Sequence, residues 1–148
     1  MTVTSTIAKV NSDRSISAIF CNWDGDLAHV GKILLNNYYN EEQIDALLEL
    51  GNLTDLGETI GGKVDFYKFC QADGEKSQCL AFERDRGEHS QPKKRFNSRD
   101  AYERYANQDY NYLFEKNCWI VKDSRGTNKL SSVVRNWHDN WHSGELRV

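Results

Sequence analysis

The chain has 148 residues, 39% of them hydrophobic and 11% aromatic, and a formal net charge of −3. That length suits one domain, which buries about two-thirds of its unfolded surface around a single core and needs no metal or disulfide staple. The composition excludes a disordered chain, and so small a charge gives no reason to expect a polyanion binder or a DNA mimic.

Residues 3–9 and 15–22 are rich in β-branched and apolar types and flank Asn11-Ser12-Asp13-Arg14, so they predict an N-terminal β-hairpin. The period then changes. Val30, Ile33, Leu34 and Tyr38 share one helical face, and Ile44, Leu47 and Leu48 a second, which predicts two short helices. Asn40 is placed to cap the second, with Gln43 reaching back, Glu41 and Glu42 at its positive end, and Gly51 closing it. Glycine breaks residues 52–62, which read as a surface loop.

Residues 63–70 and 77–84 read as two strands about Ala72-Asp73-Gly74-Glu75, a second hairpin. Residues 87–97 are polar, hold the single proline and read as the mobile connection to a helix over 98–107, capped by Asn97 or Ser98. Alternation over 110–115 and 118–122 predicts an antiparallel pair joined at Lys116-Asn117. Leu130, Val133, Val134, Trp137 and Trp141 then recur at helical spacing, so residues 123–148 read as a tail with a docked helix. The sum is a single α+β domain spanning 1–148, built on an antiparallel sheet of hairpins.

No run approaches the roughly 18 apolar residues of a membrane span, and the N-terminus lacks a basic segment followed by an apolar run. The expectation is a cytoplasmic protein with no membrane partner. Cys21, Cys70, Cys79 and Cys118 form no C-x-x-C pair and read as buried free thiols. Charge is uneven: from Asp24 to Glu58 eight acidic residues face one basic residue, Lys32, whereas 83–104 leans basic.

Signatures of chemistry are sparse. His138 and His142 have metal-ligand spacing but lack the glutamate and third ligand of a zinc site, so no metal and no cofactor is expected. No nucleophile motif serves a catalytic triad, and Gly61-Gly62-Lys63 departs from P-loop spacing, although its amides and ammonium suit an anion. Two stretches stand out. In Cys21-Asn22-Trp23-Asp24-Gly25-Asp26 an aromatic ring adjoins a carboxylate and a glycine, either a recognition corner or a core plug with a helix cap. In Phe82-Glu83-Arg84-Asp85-Arg86-Gly87, strand alternation puts Arg84 and Arg86 on one face, as an anion grip or as part of an ion-pair ladder.

These stretches, with Ser17-Ala18-Ile19-Phe20 before them, Gly31-Lys32-Ile33-Leu34-Leu35 and Leu47 to Leu53 between them, and Glu88 after them, resemble a family of small, mostly uncharacterised phage and prophage proteins. The resemblance covers about residues 5–122. Asn22 stands where that family commonly has histidine, and Asp26 where it commonly has an aromatic residue. It implies a mobile-element accessory protein that counteracts a bacterial defence by binding. The expected ligand is a nucleotide-type signal, its base stacked by Trp23 or Phe82, its phosphates held by Arg84, Arg86 and Lys63, its polar edges read by Asp24 or Asn22. A homodimer wrapped around the ligand suits such a binder. The alternatives are an inhibitor of a host defence nuclease complex that docks through Asp45 and Glu49, and a small nucleotide hydrolase using Asp24 or Asp85.

Overall fold

The computed structural model describes residues 3–71, 78–89 and 91–134. The N-terminal hairpin forms as its sequence predicts. Strand β1 (Ser5–Val10) pairs antiparallel with β2 (Ile16–Cys21) in the register Ile7↔Ile19, and Asn11 N donates to Ser15 O at 2.8 Å across the turn. A π-helical turn over Leu27–Gly31 leads into α1 (Lys32–Asn37) and α2 (Glu41–Glu49). Asn40 caps α2 by accepting from Gln43 N at 2.8 Å, while Gln43 Oε1 accepts from Tyr39 N.

Strand β3 (Leu53–Asp55) follows, then α3 (Phe66–Gln71), the two-residue β4 (Leu80–Ala81), α4 (Phe82–Arg86), β5 (Lys94–Phe96) and α5 (Arg99–Tyr105). Ser98 is the cap of α5, accepting from Ala101 N at 3.1 Å. Strands β6 (Tyr110–Glu115) and β7 (Cys118–Asp123) form the antiparallel pair predicted over 110–122; Lys116 and Asn117 both have positive φ, as a tight hairpin turn demands. Strand β8 (Gly126–Lys129) ends the sheet, and residues 130–134 are helical, with Leu130 fully buried.

The result is one α+β domain on an eight-stranded, mostly antiparallel sheet of order β4-β3-β2-β1-β6-β7-β8, with β5 beside β2. Side chains alternate between its faces. Ile7, Ile19, Tyr112, Phe114 and Val121 join α1 and α2 in the larger core, whereas Ala8, Ile16, Ala18 and Leu113 meet Tyr102 and Ala106 at α5 on the other face.

The mostly antiparallel sheet also holds two parallel pairs, β1 with β6 and β2 with β3. Four expectations need correction. The predicted loop over 52–62 contains β3, ordered by a parallel partner distant in sequence. The predicted strand over 63–70 ends in α3. The predicted strand over 77–84 is only β4, since Asp85 Oδ2 accepts from Ala81 N at 2.8 Å and Gly87 adopts φ 68°, together fixing a turn of helix. The connection over 87–97 carries β5, whose Lys94, Arg95 and Phe96 pair with Ala18, Ser17 and Ile16. The predicted turn at 72–75, the tail beyond 134, His138 and His142 lie outside the described residues.

Candidate functional site

The corner after β2 is built by backbone bonds. Asn22 N and Trp23 N donate to Leu53 O and Thr54 O at 3.0 Å each, so the chain leaves β2 still laid along β3. Asp24 then turns with φ 54°, a left-handed conformation that aspartate tolerates better than most residues. Gly25 is pinned beneath: its N–H donates to Val3 O at 3.0 Å and its carbonyl accepts from Tyr112 Oη at 2.7 Å. A Cβ there would lie 2.9 Å from the Thr4 carbonyl carbon, so only glycine fits without a backbone shift. Asp26 opens the π-helical turn, its carbonyl taking His29 N and Gly31 N at 3.2 Å and its Oδ1 lying 2.8 Å from His29 Nδ1. Such turns recur at functional sites.

With Gly25 held down, Trp23 is left 46% exposed, which rules out the core-plug role. The indole and Asp24 form one wall of a cleft of about 320 Å³. His29, Val30 and Ile33 form a second, Asp55 and Leu56 the floor at the end of β3, and Gln78 and Leu80 the remaining side. This volume lies at the lower end of the roughly 300–1,000 Å³ typical of small-molecule sites. The cleft also sits beyond the carboxyl ends of two parallel strands, where sheets with helical crossovers place their ligands. Among the described residues no lysine or arginine lines it, and Asp24 has no ion pair. Under the corner the buried Cys21 thiol, pushed up to about 12 by desolvation, points at Trp23 O from 3.6 Å.

The predicted arginines assemble elsewhere. Residues 82–86 are helical, so Arg84 and Arg86 do not share a strand face. Arg84 Nε contacts both oxygens of the buried Asp85, at 3.0 and 3.2 Å, while Nη1 and Nη2 donate to Gly61 O and Cys79 O. Asp85 Oδ1 also takes Val64 N at 3.0 Å, so this pair sews the 61–64 segment to β4. The Arg86 guanidinium lies 4.7, 5.9 and 5.3 Å from the ring centres of Phe66, Tyr67 and Phe82, and its Nε is 2.7 Å from Glu88 Oε2, out of line for a hydrogen bond. Phe82 therefore packs on Arg86. Lys63 is exposed, next to Gly62, whose carbonyl accepts from the cleft residue Gln78 at 2.8 Å.

Of the predicted site residues, the structure brings Trp23 and Asp24 together in the cleft. Asn22 contributes backbone only to that corner, Lys63 stands near it through Gln78, and Phe82, Arg84 and Arg86 belong to α4. His29, Asp55 and Gln78 were not expected there. Asp26 and His29, three apart, were the one local signal; Asp55 and Gln78 arrive through strand pairing.

A larger, shallower groove of about 660 Å³ lies beside the starts of β1 and β6. Its polar groups satisfy one another: Asp109 accepts from Thr4 N, and Asp123 holds Arg125 at 2.8 Å. Among the described residues no three His, Cys, Asp or Glu side chains converge as metal ligands, and no helix is long and apolar enough to cross a membrane. Compared with known proteins, the chain matches no family model, no curated protein and no solved structure.

Proposed function

We propose that the protein is a non-enzymatic binder that holds the ring of a nucleotide-type small molecule in the Trp23 cleft, and that it sequesters such a signal as a counter-defence protein of a phage or mobile element. The observation that carries this reading is an exposed indole, set by backbone bonds at the mouth of a cleft beside a carboxylate, Asp24, that has no ion pair among the described residues. Trp23 stacks the ring, Asp24 accepts from its N–H groups and Gln78 reads a further polar edge. The ligand's anionic part faces outward toward Lys63, because Arg84 and Arg86 are engaged inside the chain. The counter-defence role rests on the sequence resemblance alone.

A second reading draws on the Asp26–His29 contact. A histidine oriented by a carboxylate inside a cleft is the pairing a general base needs, which favours a small nucleotide hydrolase. The protein-inhibitor reading has less to use, since Asp45 accepts from Lys9 at 2.7 Å and Glu49 from Lys93 within the chain. Incubation with cyclic and linear nucleotides, then denaturation and chromatography of what the protein retained, separates the three. An unchanged nucleotide supports sequestration. A converted one that persists as substrate in His29→Gln supports hydrolysis, and retention of none sinks both small-molecule readings.

A further inference from the structure

The cleft has an unusual balance of groups for a nucleotide site. An exposed indole lines it, the Asp24 carboxylate borders it, and among the described residues that line it the one basic side chain, His29, is held by Asp26. The nearest guanidinium in the hydrogen-bond network, Arg84, is neutralised by the buried Asp85 at 3.0 and 3.2 Å behind Cys79. An anionic group thus meets the Asp24 carboxylate in the cleft, whereas positive charge meets that carboxylate beside a tryptophan ring. Tryptophan is the best of the aromatic side chains at holding cations, and a delocalised ring cation also stacks.

We infer that the cleft selects a positively charged planar ring, an N-alkylated heterocycle of the pyridinium or N-alkyl-purinium class, over its neutral counterpart. This rests on the ring-binding reading and adds the charge of the ring to it. Trp23 supplies the stacking surface and Asp24 the counter-charge, while the aliphatic side chains of Val30, Ile33 and Leu56 desolvate the ring edge and strengthen the attraction. A phosphate or sugar attached to that ring leaves through the open side.

The test uses a matched pair of probes, 1-methylnicotinamide and nicotinamide, which differ by one methyl group and one charge. Each is titrated into the ¹⁵N-labelled full chain, following the Trp23 indole N–H signal, assigned by its loss in Trp23→Ala. The expected result is at least tenfold tighter binding of the cation, an advantage that shrinks several-fold in Asp24→Asn while nicotinamide binding stays unchanged. Equal affinities for the two probes overturn the charge selectivity and leave ring binding standing. If neither shifts the indole signal, ring binding falls as well. A cation advantage that survives Asp24→Asn intact overturns the role given to Asp24.

Discussion

Trp23 and Gly25, two residues apart, do opposite work. Trp23 faces solvent, so Trp23→Ala is expected to change stability by only about 0.5 kcal/mol, as for exposed positions generally, while abolishing ring binding. A cost of about 3–5 kcal/mol, typical of a core aromatic, would contradict that placement. Gly25→Ala does the reverse: the added Cβ meets the Thr4 backbone at 2.9 Å, and overpacking of this kind costs about 1–3 kcal/mol, read as a lowered denaturation midpoint. Thiol chemistry gives an independent check. Burial pushes Cys21 up to about 12 and raises Cys79, so both are expected to resist alkylation in the native protein near pH 8, while the half-buried Cys118 reacts before either of them. Peptide mapping after brief labelling shows the order, and early labelling of Cys21 would mean that the corner opens.

Helix α5 and strand β6 are joined by a two-pronged contact, Arg99 Nη1 and Nη2 donating to Glu115 at 2.8 and 3.0 Å. These hydrogen bonds hold the Glu115 carboxyl below its ordinary 4.5, so in acid the unfolded chain takes up the proton first. The contribution is therefore present above that value and lost as pH falls through the lower, folded one. Thermal melts from about pH 6 to about pH 3 are expected to fall less steeply in Glu115→Gln than in the parent chain, and identical slopes would remove this contact from the acid response. A buried contact matters more at α4. Asp85→Ala strips a buried carboxylate from Arg84 and from two backbone N–H groups, and breaking such a pair costs about 3–5 kcal/mol.

These elements also show where sequence reading succeeds. The hairpins at 5–21 and 110–123 and the caps of α2 and α5 depend on neighbours within a few residues, so alternation and turn chemistry revealed them. Strand β3 depends on β2, some thirty residues earlier, for its partner, and three residues among glycines carry no period of their own. Helix α4 depends on one carboxylate reaching back and one glycine reaching φ 68°, and both residues also suit the strand end that was expected.

For the molecule as a whole, the parallel pairing of β2 with β3 decides where a ligand can sit. It brings the corner after β2 against the end of β3 and, through β4, against Gln78, assembling a cleft whose parts span residues 23–80. Half of the corner was readable as Trp-Asp-Gly; the opposite wall was not, because strand order is a property of the sheet. The same topology keeps Arg84 and Arg86 in α4, turning an expected phosphate grip into a brace for the 61–64 segment. The most direct measurement is native mass spectrometry of the full chain and of Trp23→Ala after incubation with the nucleotide panel. Cleft binding predicts an unmodified nucleotide adduct on the parent chain and none on a variant of equal melting temperature. An adduct that survives loss of the indole, or a parent chain that retains no nucleotide, would contradict it.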